Sequence, residues 1–255
     1  MKEVRYYKDF TDDFEISKNQ EIKLSEDYEY IREGFYSKLK SKLVYSAAVA
    51  FGFIQAKLFL HVKFVNRKAM KAAKDKGFFI YANHTQPVGD VFLPALASFP
   101  KRIYTVVSPA NFGIPVIGRI LPYLGALPLA DSPKGMKKFT EAMGKRIESG
   151  KIVTIYPEAH VWEYYSGVRP FSDAAFRYPV KFSAPVFAMT VTYQKRKIFK
   201  KPKTTIYIDG PFYPDENLHA REQSKKLHKE ILDTMMKRAE NSSYSYIEYI
   251  KQGNH

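Results

Sequence analysis

The chain contains no cysteine, which excludes disulfide bonds, thiolate metal sites and thiol nucleophiles together. Acidic residues are scarce beside basic ones. Asp and Glu number 26 against 41 Lys and Arg, giving a formal charge of +15 and an isoelectric point near 9.6. Partners are therefore expected to be anionic: nucleic acid, a phospholipid surface, or an acidic carrier and its phosphorylated substrate. The opening residues Met1-Lys2-Glu3-Val4-Arg5 lack the apolar stretch of a secretory signal, so a cytoplasmic location is expected. Long apolar runs are missing as well. The longest one without a charge, 43–56, has 14 residues, whereas crossing the hydrocarbon of a bilayer takes about 20.

Several signatures of familiar chemistries are also absent. The chain has no G-x-x-x-x-G-K-[ST], H-E-x-x-H, G-x-S-x-G or G-x-G-x-x-G, which argues against phosphate-loop nucleotidases, zinc peptidases, serine hydrolases and dinucleotide-dependent dehydrogenases. Nucleic acid is not expected as a partner, because the basic residues are not interleaved with aromatics on a recognisable reading element. No metal site is expected.

What is present divides into four parts. Residues 1–31 are polar, acidic and tyrosine-rich without a sustained period, and are expected to form an extension. Residues 32–65 hold the apolar run, with Arg32, Lys38, Lys40 and Lys42 before it and Leu58, Phe59 and Leu60 beyond Lys57. A helix with basic flanks and an aromatic face suits the plane of a membrane interface, giving peripheral association. Packing on the domain core is the alternative, and the residues do not choose between the two. Residues 66–241 carry the main domain, and 242–255 are expected to be a flexible tail.

In the main domain, strand-length apolar runs at 78–82, 103–108, 126–130, 152–156, 185–193 and 204–209 alternate with helical patterns at 91–98, 114–124, 133–149, 171–182 and 219–240. This alternation predicts an α/β fold with a mainly parallel central sheet flanked by helices, preceded by an N-terminal helical segment. Asp131-Ser132-Pro133 and Gly150 supply start and stop signals for the helix between them. In open α/β sheets ligands gather beyond the carboxyl ends of the strands, and two polar segments fall there. One is Asn83-His84-Thr85-Gln86-Pro87-Val88-Gly89-Asp90, and the other is Tyr156-Pro157-Glu158-Ala159-His160. His84 follows a buried strand and Asp90 opens the next helix, so a carboxylate can orient an imidazole that takes a proton from an alcohol. Asp90 as a simple helix cap is the plainer reading.

With these segments the chain resembles the glycerolipid acyltransferases typified by 1-acylglycerol-3-phosphate acyltransferase (PlsC-like). The counterparts of the family motifs, in order, are 83–90, Gly125-Ala126-Leu127-Pro128-Leu129, Tyr156-Pro157-Glu158 and Ala184-Pro185-Val186-Phe187, spread over roughly 60–210. The resemblance implies an O-acyltransferase of phospholipid biosynthesis. His84 would be the general base and Asp90 the residue that orients it, with acyl-CoA or acyl carrier protein as co-substrate, a lysophospholipid as acceptor and an anionic membrane surface as partner. No further cofactor is implied. Asn83, Glu158, His160, Arg169 and Gly125 become candidate substrate-binding residues.

This sequence departs from the family pattern at informative points. Five residues separate His84 from Asp90 where the family has four, with Gly89 available to absorb the extra one. The arginines expected to hold the acceptor phosphate are replaced: Asp131 stands at one position, and Ala159-His160-Val161 replaces Gly-Thr-Arg. Substitute cations in sequence are Arg169, Arg177, Lys134, Lys137 and Lys138, of which Arg169 is preferred because guanidinium binds phosphate bidentately. A non-catalytic basic protein that binds anionic lipid is the alternative function. The run Lys195-Arg196-Lys197-Ile198-Phe199-Lys200-Lys201-Pro202-Lys203 reads as a hairpin tip, either simply solvated or in contact with anionic lipid or an acidic carrier.

Overall fold

The apolar runs of the main domain become the strands of one seven-stranded sheet in the computed structural model, which describes residues 2–14 and 22–253. In chain order these are β2 (Lys63–Val65), β3 (Phe78–Ala82), β4 (Ile103–Val107), β5 (Ala126–Pro128), β6 (Ile152–Ile155), β7 (Val186–Gln194) and β8 (Lys203–Phe212); a further strand, β1 (Glu3–Tyr7), precedes them. Their order across the sheet is β2-β8-β7-β3-β6-β4-β5. Strands β7, β3, β6, β4 and β5 run parallel, while β8 is antiparallel to β7 and carries β2 beside it.

Continuous apolar sequence is required where both faces of a strand are covered. All five residues of β3 are buried. Phe78, Ile80 and Ala82 face one core with Leu93 and Leu96 of α2 (Gly89–Ser98), while Phe79 and Tyr81 face a second core on the other side. That second core is closed by α4 (Pro133–Glu148) and α6 (Ala220–Ala239). Phe139, Met143 and Ile147 of α4 and Leu227, Ile231 and Met235 of α6 recur at the helical spacing that makes one apolar stripe. Burying each such side chain contributes about 1.5–3 kcal/mol. Helix α4 begins where expected, with the Ser132 hydroxyl accepting from Gly135 N at 3.1 Å and Pro133 in the first turn. The remaining helices are α1 (Phe35–Gln55), α3 (Ile117–Leu124) and the short α5 (Arg177–Lys181).

The N-terminal helix is not a core helix. Helix α1 continues through a π-helical turn, Ala56–Leu60, to make 26 helical residues, and only 17% of its most apolar window is buried. It leans on α2 and α3 and buries Val49 and Gly52 alone. The missing side chain of Gly52 admits Phe92 of α2, whose Cβ would lie 2.9 Å from an added Cβ. Phe35, Tyr36, Leu39, Leu43, Phe51, Phe53, Ile54, Leu58 and Phe59 are exposed. By length and composition this helix is sufficient to cross a membrane. A count of charge-free residues underestimated it, because the helix keeps its apolar character across isolated lysines.

Two expectations are corrected at the chain ends. The tail expected to be flexible over 242–255 instead forms β9 (Ile247–Lys251), paired in parallel with β1; residues 254–255 lie outside the described ones. The Tyr249 ring stacks on Trp162 at 4.9 Å, and Tyr246 meets Tyr164 edge-on at 4.9 Å. The extension 1–31 is likewise docked at several points, with residues 1 and 15–21 outside the described ones. Tyr7, Phe10 and Phe14 surround the fully buried Trp162, and Tyr30 donates to the Pro128 carbonyl at 2.9 Å. Neither end has a periodic pattern, because each buries aromatic rings on partners remote in sequence.

Candidate active site

Beyond Ala82, the last residue of β3, the chain turns away from the sheet, and Asn83 replaces the ladder with its own side chain. Its amide accepts from Val191 N at 2.8 Å and donates to Val191 O at 3.1 Å, fully buried. Both ends of the amide are used by β7. The expectation that Asn83 contacts substrate is therefore corrected: it fixes where the next residue emerges.

That next residue is His84, whose Nδ1 lies 2.7 Å from Oδ2 of Asp90. The imidazole is 21% exposed and the carboxylate 2%. The turn between them is braced from within. Gln86 N donates to the same Asp90 oxygen at 2.9 Å, and Asp90 N returns a bond to Gln86 O at 3.0 Å. Gly89 suits this closeness, since an added Cβ would sit 3.0 Å from Gln86 Cβ and 3.2 Å from Leu60 Cδ1 and those side chains would have to give way. The five intervening residues are thus accommodated with the pair in contact. Burial raises the carboxyl of Asp90 above its ordinary range, opposed by the His84 and backbone hydrogen bonds.

Tyr156, just after β6, holds both partners. Its ring stacks on the imidazole at 4.4 Å, and its hydroxyl donates to the Asp90 carbonyl at 2.6 Å. From the other side, Tyr193 at the end of β7 shares hydrogen bonds with Thr85 Oγ1 at 2.7 Å and Gln86 Nε2 at 3.0 Å. The sequence placed Tyr156 in the second polar segment without a role and did not point to Tyr193. The available signal was their place at the carboxyl ends of strands that neighbour β3.

With Nδ1 bound to a carboxylate, Nε2 is the nitrogen left for a proton from outside. A family model for acyltransferases matches residues 61–192, which span this turn and the Tyr156-Pro157-Glu158 segment. The chain belongs to the acyltransferase family. Its fold is similar to that of the 1-acyl-sn-glycerophosphate (LPA) acyltransferase PlsC from Thermotoga maritima, with a TM-score of 0.59 at 17% identity, covering 84% of this chain and 86% of that one. No curated protein matches the chain by sequence.

In this acyltransferase the other sequence-selected residues have different roles from those expected. Glu158 is an internal strut. Its side chain is inaccessible, with Oε1 accepting from Arg169 N at 2.9 Å and Oε2 accepting from Arg169 Nη2 at 3.0 Å and from His84 N at 3.1 Å. Burial raises its carboxyl while Arg169 opposes the shift. Arg169, expected on an exposed loop to bind phosphate, is fully buried over the Trp162 ring at 4.9 Å and also donates to the carbonyls of Phe10 and His160. A guanidinium buried and paired in this way cannot reach a ligand, so that assignment is corrected. His160 Nδ1 pairs with Asp13 at 3.1 Å, a partner in the N-terminal extension that local sequence gives no means of finding.

Gly125 is corrected by topology. Ala126 is level with Thr105, Thr154 and Ile80 across the sheet, so Gly125 lies near the amino ends of the strands and three strand spacings of roughly 4.8 Å from β3. It caps α3 at φ +95°, where a Cβ would meet Ile103 O at 2.7 Å. Its requirement is conformational. Three of the other substitute cations are also engaged: Lys134 and Lys138 pair with Asp27 at 3.2 and 2.9 Å, and Arg177 donates to the Tyr178 hydroxyl at 3.0 Å.

Proposed function

We propose that this acyltransferase transfers a fatty acyl group from an acyl thioester, acyl-CoA or acyl carrier protein, to the hydroxyl of a lysophospholipid such as 1-acylglycerol-3-phosphate. The observation that carries the reading is the His84–Asp90 contact of 2.7 Å at the carboxyl end of the sheet, with the imidazole partly open and the carboxylate dry. His84 Nε2 takes the proton of the acceptor hydroxyl as that oxygen attacks the thioester carbonyl. Asp90 stabilises the imidazolium that forms. Collapse of the tetrahedral intermediate breaks the carbon–sulfur bond, and the departing thiolate takes the proton from Nε2, so ester and free thiol are the products. The transfer is direct, and the chain has no cysteine that could carry the acyl group. General-base assistance of this kind accounts for about 10²–10⁴ in rate, with the remainder from positioning of donor and acceptor.

The acceptor is a lipid, and the surface beside the site suits one. Val88 and Val91, flanking Asp90, are each about half exposed, and Val116, which precedes α3, with Ile117 and Ile120 of α3 adds to the bare apolar face of α1. A contiguous surface of this kind marks a membrane or protein contact, and we infer that the enzyme works at the cytoplasmic leaflet. The test is thiol release from long-chain acyl-CoA with a panel of lysolipids. Turnover on any acceptor, lost in His84→Ala with the fold retained, is the expected result. Lipid binding without turnover on every acceptor would favour the non-catalytic reading instead.

A further inference from the structure

A basic pocket of about 490 Å³ lies outside the catalytic turn, lined by Lys57, His61, Val62, Lys63, Arg196 and Lys203. It is formed where the π-helical turn at the end of α1 meets the start of β2 and the β7–β8 hairpin. Four cationic side chains share it, no carboxylate lines it, and among the described residues none of the four has an acidic partner. Three arginines elsewhere are paired with carboxylates: Arg5 with Glu3 and Glu163, Arg169 with Glu158, and Arg238 with Asp209. Arg196 is aimed by an aromatic ring and an imidazole. Its guanidinium lies over the Phe199 ring at 4.1 Å, and Nη2 is 2.8 Å from His61 Nε2. His61 is held in turn in a left-handed conformation, φ 45°. Clustered like charges repel unless an anion joins them, and a fixed guanidinium fork matches phosphate oxygens.

The rim of the pocket identifies the source of that phosphate. Leu58, Phe59 and Phe199 are each at least 60% exposed and Ile198 is 88% exposed. A soluble phosphorylated donor would fill the pocket and leave these four side chains in water, whereas a leaflet covers them while presenting headgroup phosphates to the cations. We propose that this pocket and the β7–β8 hairpin form a second membrane contact, which binds the phosphate of an anionic phospholipid while Ile198 and its neighbours enter the interface. Its placement has a consequence for the catalytic turn. β7 runs parallel to β3, so the hairpin leaves the sheet on the edge that carries His84, and Leu60 of the adjoining turn abuts Gly89 beside Asp90. Two contacts, α1 and the hairpin, then fix the tilt of that edge against the leaflet.

The experiment is flotation of the full chain with vesicles of phosphatidylcholine alone and of phosphatidylcholine with phosphatidylglycerol. Arg196→Ser/Lys203→Ser should lower partitioning to the anionic vesicles on the order of tenfold or more at low salt and leave binding to neutral vesicles unchanged. Ile198→Ser, at a position too exposed to support the fold, should weaken binding to both kinds of vesicle severalfold. Both variants should keep wild-type melting and wild-type thiol release on detergent-dispersed substrates. Unchanged binding of either variant to anionic vesicles overturns the proposal. So does a raised KM for acyl-CoA in the double variant with vesicle binding intact, which would assign the pocket to the soluble donor. Because flotation needs no turnover, failure of the acyl-transfer reading would leave this result standing, and the reverse.

Discussion

Asp90 and Glu158 stand beyond the ends of the adjacent strands β3 and β6, and both carboxylates are almost wholly removed from solvent. Their partners set them apart. Asp90 faces an imidazole that is 21% exposed, while Glu158 faces a guanidinium that is 1% exposed. An imidazole gains and loses a proton near neutral pH and a guanidinium does not. The first pair can therefore pass a proton to and from a bound molecule, and the second can only hold two loops together. The two are linked, because Glu158 also accepts from the backbone N–H of His84. The dry pair fixes the height at which the partly open pair emerges.

The largest effect expected from dividing these roles is in catalysis. His84→Ala should lower kcat for acyl transfer by about 10²–10⁴ with an unchanged melting temperature, read by thiol release beside a thermal scan. Next is the strut. Arg169→Met leaves a buried carboxylate unpaired and should cost about 3–5 kcal/mol of stability, measured by urea denaturation. If it unfolds no more easily than wild type, the strut reading fails. Replacing both partners, as Glu158→Gln with Arg169→Met, should recover much of that loss, since the penalty comes from the unpaired charge.

The third prediction concerns pH. Burial raises the Asp90 carboxyl above 3.8, so the folded state binds its proton more tightly than the unfolded state. That contribution to stability is complete below 3.8 and is lost as pH rises through the folded value. Asp90→Asn removes the loss. Its stability relative to wild type should therefore climb as pH is raised from about 3.5 toward neutrality, even as its kcat falls; urea midpoints across that range would show it. A pH-independent difference would contradict the burial argument. The smallest effect is expected at Tyr156→Phe, which keeps the ring on His84 but removes the 2.6 Å bond to the Asp90 carbonyl. A loss of about 0.5–1.5 kcal/mol in stability is expected, with kcat reduced more than KM is changed.

Much of the main domain was legible in sequence. The six expected strands all form, because uninterrupted apolar runs between turn residues have few other uses in a chain of this kind, while β2 arises within the segment 32–65 that was expected to be helical. Boundaries shifted where backbone chemistry intervened. The helix expected over 171–182 divides into a 3₁₀ turn at Asp173–Phe176 and the short α5, which contains Pro179 and is followed by the left-handed Ser183. The helix expected from 114 begins at Ile117, after Val116 at φ 65°. The His84–Asp90 pairing was also legible, since it spans only six residues and depends on one turn. Arg169 was not. Its exposure depended on Trp162, Phe10 and Glu158 closing around it, and no pattern near position 169 records them.

The sequence by itself determined the α/β alternation, the buried strands and the imidazole–carboxylate pair, because these follow from periodicity, turn chemistry and short-range reach. Tertiary structure alone decided which polar residues remain available to a ligand. It sealed Asn83, Glu158 and Arg169 inside, left Arg196 without a carboxylate among the described residues, and left the apolar face of α1 bare. The physical reason is that burial belongs to a surface assembled from distant segments, here β1, the Trp162 loop and β9, and each segment satisfies or strands a polar group only when all are in place.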